Sequence, residues 1–143
     1  MQMVENIESE LIIDTFDKKI ANTFYALYEV EEELEVFLNP YVEDVIELKI
    51  GFNEILVNAV EHGNELDPDR KIRVKAIITE EDIKLVIEDQ GKGFEWQDKV
   101  MKDLELDYDD PNERGRGINI AKKIYNKIKY NDQGNKVCLV KSR

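Results

Sequence analysis

The sequence predicts an α+β fold, a two-layer α/β sandwich with helices on one face of a mixed, mostly antiparallel sheet. Two long helical patterns lead into residues 71–88, where alternating apolar residues and an acidic loop indicate a β-hairpin. Residues 90–114 then combine glycines, a proline and many acids without a regular apolar period. A third helical pattern and a second hairpin pattern close the chain. This order of elements is typical of helices packed on one side of an antiparallel sheet.

The elements before residue 71 are predicted from short apolar runs and from helical spacing. A β-prone run at residues 7–16 predicts the first strand. Residues 18–38 lack Gly and Pro and carry apolar residues at helical spacing, which predicts a long helix ended by an Asn-Pro pair. A second helix is predicted over residues 41–62, with Gly63 as a left-handed residue at its carboxyl end.

The later elements begin after a polar turn centred on Asp67-Pro68. Their predicted bounds are strands 71–79 and 83–88, a short helix near 98–104, a helix over 117–128, and strands 129–130 and 136–140. A connection as long as the one that precedes residue 115 is usually functional in a compact domain, for example as a lid.

Length and composition are those of one ordinary domain, expected to span residues 1–143. The hydrophobic content of 42% argues against disorder. The single cysteine, Cys138, cannot form an internal disulfide, which suits a reducing cytosol. One Cys and one His nearly exclude a metal site built from those two residue types. No signal peptide or membrane-spanning stretch is evident, so the sequence predicts a cytoplasmic protein without a membrane partner.

The charge of the chain is strongly acidic but unevenly distributed. With 20 Lys and Arg against 32 Asp and Glu, the net charge is −12, which disfavours nucleic acid as a partner. Residues 114–143, however, hold nine basic residues and a single acid, Asp132. A positive carboxyl-terminal part in an acidic chain indicates a local function for that charge.

A carboxylate and an amide occupy one polar stripe of the second predicted helix. Glu54 and Asn58 are one turn apart, and both supply hard oxygen donors of the kind that Mg²⁺ uses beside substrate phosphates. Glu54 could instead accept a proton from a hydroxyl group. On spacing alone a solvated helix face explains this stripe as well. Against that explanation, Gly51 lies on the same stripe, where a solvated helix would favour a better helix former.

Glycines follow the predicted strand 83–88 at alternate positions. The strand is followed by Asp89, then by Gly91 and Gly93. A carboxylate at a strand end can accept a hydrogen bond from an exocyclic amine, and glycine lets the backbone approach a ligand closely. An ordinary turn after a strand remains the alternative for this segment.

Two further glycines surround an arginine at the start of the third predicted helix. These residues are Gly115, Arg116 and Gly117. The start of a helix would present free backbone N–H groups and the positive end of the helix dipole, and Arg116 would add a guanidinium group. Together these groups suit a phosphate. A loop with two solvated arginines is the alternative. Neither glycine segment has the spacing of a Walker A loop or of a dinucleotide-binding fingerprint.

The three motifs in this order resemble the GHKL ATPase superfamily. The quoted runs are NEILVNAVEHG on a helix, EDQGKGF after a strand and RGRGINIAKK opening a helix. Within that superfamily the chain resembles the small anti-sigma-factor serine/threonine kinases and their histidine-kinase-like ATP-binding relatives. The resemblance implies a Bergerat-type ATP-binding fold that forms one domain, with an ATP lid at about residues 94–114.

The resemblance also implies roles for individual residues. Glu54 would act as the general base, and Asn58 would coordinate a Mg²⁺ ion that bridges the phosphates. His62, at the end of the same motif, would help to shape the pocket. Asp89 would accept a hydrogen bond from the adenine amino group.

The glycine motifs have implied roles as well. The backbone at Gly91 and Gly93 would pass close to the nucleotide, while Gly115, Arg116 and Gly117 would close on the phosphates. Many relatives carry Thr or Ser in the last strand to help bind adenine through water, and Cys138 stands at what looks like the matching position. A thiol is a much weaker hydrogen-bond donor than a hydroxyl group.

The implied function is an ATP-dependent protein serine/threonine kinase of the anti-sigma type. Such a protein would phosphorylate a STAS-type anti-anti-sigma partner, sequester a sigma factor and form a homodimer. The alternative is a catalytically weak nucleotide-binding module that acts by partner sequestration alone, and a third possibility is an acidic interaction protein without a ligand. Because the lid is acidic, we expect ATP binding to depend on Mg²⁺ and on Arg116.

Overall fold

The computed structural model describes residues 11–94 and 113–143, with side chains from Gly115 onward in the second range. Three α-helices, one π-helical turn and five strands are described there. Their bounds are β1 Ile12–Ala21, α1 Phe24–Leu38, α2 Val45–Asn58, the π-turn Ala59–Gly63, β2 Lys71–Thr79, β3 Asp82–Glu88, α3 Glu113–Ile124, β4 Lys127–Tyr130 and β5 Lys136–Ser142.

The strands form one sheet in the order β1-β2-β3-β5-β4, which confirms the predicted α+β sandwich. The sheet was expected to be mixed, but all four pairings described are antiparallel. The helices pack on one face of this sheet through apolar residues such as Leu34, Phe52 and Ile118, each at most 1% exposed. Because neighbouring side chains of a strand point to opposite faces, every second strand residue faces the helices.

The first strand lies further along the chain than predicted. β1 was expected at residues 7–16, of which 7–10 lie outside the described ranges, yet the strand continues to Ala21. Residues 18–21, assigned from sequence to the following helix, pair with the start of β2. Pairing along the whole of β2 therefore outweighs the weak helical preference of this charged stretch. The helix begins only after Thr23, whose hydroxyl oxygen accepts the N–H of Ala26 at 3.1 Å.

The other helix bounds also shift by a few residues. α2 begins at Val45 instead of residue 41, because Asp44 caps it by accepting the N–H of Glu47. α3 begins at Glu113 and ends at Ile124, four residues earlier than predicted at each end. Residues 127–130 pair with β5 and are therefore unavailable to the helix. The predicted helix at 98–104 lies outside the described residues, and so does nearly all of the predicted lid.

The sheet has a second face, which points away from the helices and which we call the outer face. Strand alternation and register place these charged residues on it: Asp17, Lys19, Lys71, Arg73, Lys75, Asp82, Lys84, Glu88, Lys127, Lys129 and Lys136. A small buried cluster of Val86, Cys138 and Val140 lies on the same face, separate from the main core. In neither described range is there a helix whose length and apolar character would let it cross a membrane.

Candidate functional site

The polar stripe of α2 faces α3 rather than solvent. A Cβ atom added to Gly117 would lie 3.2 Å from Asn58 Nδ2 and 3.4 Å from Glu54 Cβ, so the second turn of α3 packs directly on this stripe. Asn58 is 7% exposed, while Glu54 is partly exposed. The structure thus brings Glu54, Asn58 and Gly117 together, as the motifs predict, and excludes a simple solvated face.

Gly51 belongs to the same contact between helices. A Cβ atom there would lie 2.7 Å from the Tyr125 ring, and the Tyr125 hydroxyl donates to the carbonyl oxygen of Leu48 at 2.6 Å. Burial raises the pKa of Tyr125, so the phenol stays neutral and keeps its proton as a donor. Gly51 is therefore explained by close packing of this tyrosine rather than by contact with a ligand.

Asp89 is held between two glycines at the end of β3. Its Oδ1 accepts the N–H of Gly91 at 2.8 Å, and the side chain is 7% exposed. A Cβ atom added to Gly63 would lie 2.2 Å from Asp89 Oδ2, and one added to Gly91 would lie 1.8 Å from the Gly63 carbonyl oxygen. These clashes mean that no larger residue fits at Gly63 or Gly91 without moving the carboxylate or the backbone beside it.

The role predicted for Gly63 as a left-handed helix end is wrong. The glycines with positive φ in the described ranges are Gly93 and Gly134, while after the π-turn that conformation falls on Glu65 and Leu66. What Gly63 provides instead is the missing side chain, which leaves room for Asp89. Gly93 does need its glycine conformation, with φ of +83° beside the carbonyl oxygen of Gln133.

A cleft joins α2 to the ends of the central strands. Among its lining residues are Asn58, Asp89, Phe94 and Val137. Phe94 meets Tyr130 edge to face, with ring centroids 5.2 Å apart. The cleft is narrow and partly open, with a volume of about 20 Å³, which is room for a single water.

The remaining predicted residues are less close to this cleft. His62 lies in the π-turn with its side chain exposed, and it does not line the cleft. Gly115 is buried in the first turn of α3, and Arg116 is partly exposed beside it. Because the helix begins at Glu113, the two glycines lie within its first two turns rather than before it. Backbone N–H groups in the first turn of a helix, together with the positive end of the helix dipole, favour an anion.

The position expected for an adenine-binding hydroxyl is not that of Cys138. Alternation along β5 places Cys138 on the outer face, while its neighbour Val137 lines the cleft. Burial raises the pKa of the Cys138 thiol, so it stays protonated and apolar. The weak hydrogen bonding of Cys138 is therefore irrelevant to the cleft, and its assignment to an adenine contact is wrong.

Asn64 organises the site and escaped the sequence analysis. It is fully buried, and its Nδ2 donates to Asn22 Oδ1 at 3.1 Å and to the Lys71 carbonyl oxygen at 2.9 Å. Its Oδ1 accepts the N–H of Gln90 at 2.8 Å. Asn64 thus connects the π-turn to the residue after β1, to the start of β2 and to the residue after Asp89. An asparagine directly after a helix-ending glycine was the available signal.

Replacing Asn64 with Ala should lower the free energy of unfolding by about 1–3 kcal/mol, because buried partners lose their hydrogen bonds. Urea unfolding measures this loss. Asn39→Ala is the matched control, since Asn39 is exposed after α1 and should change stability by less than about 0.5 kcal/mol. Equal small effects of both substitutions would contradict the assigned role.

A second polar loop supports the far side of the cleft. Asn131 Oδ1 accepts the N–H groups of Gly134, Asn135 and Lys136. The Asn135 carbonyl oxygen in turn accepts the N–H of Asp89 at 2.9 Å. On α3, Asn119 is 4% exposed, and its Nδ2 has no hydrogen-bond partner within residues 11–94 and 113–143. It lies one turn beyond Gly115, which leaves a buried donor in the helix that carries the third motif.

Comparison with known families defines the class of this fold and site. The chain matches the histidine kinase-like ATPase domain over residues 25–141 and belongs to that family.

The similar proteins carry a more specific name. An anti-sigma F factor of Clostridium perfringens is 25% identical over 107 residues, which cover 73% of this chain and 76% of the relative. The anti-sigma F factor of Anoxybacillus flavithermus is 29% identical over 110 residues, or 73% of each chain. That of Shouchella clausii is 27% identical over 92 residues, covering 64% of this chain and 63% of the relative.

Proposed function

We propose that the protein is an ATP-binding anti-sigma factor that acts as a serine/threonine kinase. The observation that carries this proposal is that Asn58 and Asp89 line one cleft of an ATPase-family domain, and that glycines pack closely against both of them. The similarity to anti-sigma F factors supports the anti-sigma role. The kinase role is the finer part of the proposal and rests on the chemistry of Glu54.

Asp89, which lines the cleft, would bind adenine. Its Oδ1 accepts the Gly91 N–H, which holds the carboxylate in one orientation. An ionised carboxylate offers several acceptor positions, so it can accept from an amino group as well. The contacts with Gly63 and Gly91 fix its position further. An acceptor held in this way favours adenine over guanine, which carries a carbonyl oxygen in place of the amino group.

Asn58 would hold Mg²⁺ through its amide oxygen. Among the described residues, no group of three or more His, Cys, Asp or Glu side chains could hold a metal alone. A cation beside Asn58 and Glu54 would therefore need water and phosphate oxygens to complete its ligands, which fits the chemistry of Mg²⁺. Mg²⁺ would neutralise charge on the phosphates during transfer.

The third motif would bind the phosphates. Gly117 brings α3 against Asn58, so the first turn of that helix lies near the proposed metal position. Phosphate oxygens would accept from the backbone N–H groups of that turn, from the Arg116 guanidinium and from the buried Asn119 amide. Phosphoryl transfer relies mainly on positioning and charge stabilisation, which these groups supply.

The direct test is thermal unfolding with Mg-ATP, Mg-ADP or nucleotide without metal. A ligand that binds only the native state must stabilise it, by about 2.7 kcal/mol at 100 times its dissociation constant. We expect stabilisation by both nucleotides with Mg²⁺, a smaller effect without it, and weaker ATP binding by Asn58→Ala and Arg116→Ala. Lys123→Ala, an exposed change on α3, is the control. No stabilisation by any nucleotide would contradict the proposed function, and equal ATP affinity with and without Mg²⁺ would contradict the metal role.

The proposed partners follow from the same similarity. They are a sigma factor, which the protein would sequester, and a STAS-type anti-anti-sigma protein, which would accept the phosphoryl group. If nucleotide binding alters sigma-factor binding but no phosphate transfer occurs, the protein is instead a regulatory module that acts by sequestration. We further propose that residues 1–143 form one domain with an ATP lid at about 94–114, and that the protein is a cytoplasmic homodimer.

A further inference from the structure

The outer face of the sheet is positively charged although the chain is acidic. Among the described strand residues of this face, eight are basic and three are acidic, and of the basic ones Lys84 is buried at 7% exposed. The whole chain, in contrast, has 20 basic and 32 acidic residues. Basic residues are therefore concentrated on the face that points away from the three described helices.

The basic side chains lie close enough together to act as one surface. Three lysines lie near enough to the Cys138 thiol for their positive charge to oppose the rise in its pKa caused by burial. They are Lys84, Lys129 and Lys136. Across the sheet, Arg73 donates to both carboxylate oxygens of Asp17, at 3.0 and 2.8 Å. That ion pair neutralises one basic residue and leaves a net positive surface.

A cavity lies at one end of this face. It has a volume of about 330 Å³, and Lys19, Lys71 and Arg73 are among its lining residues. Lys19 and Lys71 are exposed. Asp89 lines this cavity and the nucleotide cleft alike. Glu88 lines the cavity as well, so an entering carboxylate side chain would pair with Lys19 and Lys71 on the basic part of the lining.

We propose that the outer face is a docking surface for an acidic segment of another protein. Its carboxylates would lie along the lysines of β2, β4 and β5, and one of them would enter the cavity beside Lys19 and Lys71. Electrostatic complementarity of this kind speeds association and selects the partner by charge.

Two other occupants fit the surface less well. A second copy of this face would bring two positive surfaces together, which is unfavourable. Single-stranded nucleic acid binds through aromatic side chains on which bases stack, and the described strand residues of the outer face include no aromatic residue. The acidic remainder of the chain would also repel a long polyanion.

The test measures binding of a Glu-Gly alternating peptide to the full chain, with the Gln-Gly peptide as the neutral counterpart. We expect only the acidic peptide to bind, and to bind more weakly as salt increases. Lys75→Glu and Lys129→Glu should each weaken it by about fivefold or more, because each reverses a charge on the face. Lys123→Glu makes the same charge change on the helical side and should have less than a twofold effect.

Lysine acetylation followed by mass spectrometry locates the bound peptide. Protection of Lys71, Lys75 and Lys129 by the acidic peptide, with Lys123 unprotected, would support the proposal. Equal weakening by all three variants would overturn it. So would full protection of these lysines before peptide is added, tighter binding of a single-stranded oligonucleotide to the same lysines, or a dimer that dissociates on Lys129→Glu. The assay contains no nucleotide, so its failure is separate from failure of the proposed kinase function.

Discussion

Glu54→Gln should reduce phosphoryl transfer from Mg-ATP to a STAS-type acceptor by about 10²–10⁴-fold, the usual contribution of a general base. Nucleotide affinity should stay within about threefold of the wild type, because the amide has the shape of the carboxylate and Asn58 is untouched. Single-turnover transfer of labelled phosphate measures the rate, and calorimetric titration with Mg-ADP measures the affinity.

The matched control for this substitution is Glu47→Gln, which removes a carboxylate from the same helix two turns earlier. Glu47 is exposed, and its ion pair with Lys141, at 3.5 Å, lies away from the cleft. Transfer should be unchanged in this control. If Glu54→Gln retains the wild-type transfer rate, Glu54 is not the general base. If the transfer rate and the ADP affinity fall together, Glu54 is a nucleotide-binding residue instead.

Gly91→Ala should weaken Mg-ADP binding by about tenfold or more and lower the free energy of unfolding by about 1–3 kcal/mol. The new methyl group would lie 1.8 Å from the Gly63 carbonyl oxygen and 3.0 Å from Asp89 Oδ1. Because the Gly63 backbone cannot yield as a flexible side chain does, residue 91 must shift. The Asp89 carboxylate accepts the N–H of that residue and must therefore move as well. Calorimetric titration and urea unfolding measure the two losses separately.

Gly51→Ala is the control that distinguishes a loss of nucleotide binding from a general loss of stability. Its methyl group would meet the Tyr125 ring at 2.7 Å, far from Asp89, and the ring can shift at a cost in stability. We expect lower stability with nearly unchanged Mg-ADP affinity. If Gly91→Ala behaves in the same way as Gly51→Ala, the position of Asp89 does not control nucleotide binding.

Much of the fold could be predicted because its strongest signals are local. The burial of Leu27, Val30, Leu34 and Leu38 confirms the helical spacing of α1, and the acidic loop between β2 and β3 marks their hairpin. The first strand could not be placed in the same way, because residues 18–21 are held in it by pairing with β2. Such long-range pairing leaves no local pattern.

The candidate site was located by residue chemistry, but packing decides what each residue does. The sequence could mark Gly63 as unusual, although only the fold shows that its missing side chain accommodates Asp89. It could mark β5, although a shift of one residue decides whether Cys138 or Val137 lines the cleft. The position of Asn64 directly after Gly63 was its one local signal, and it did not reveal the role of Asn64, because its hydrogen-bond partners come from three separate parts of the chain.

The π-turn has a consequence for the permitted length of the chain. In this turn the N–H of Asn64 donates to the carbonyl oxygen of Ala59. The acceptor is one residue further back along the chain than it is in an α-helix. Deleting one residue between Ala59 and Gly63 would restore α-helical bonding and rotate the residues after the turn by about 100° around the helix axis. Gly63 would then no longer pack against Asp89, and Asn64 would lose the hydrogen bonds to its three partners. This segment should therefore tolerate substitutions at exposed positions such as His62 far better than any single-residue deletion.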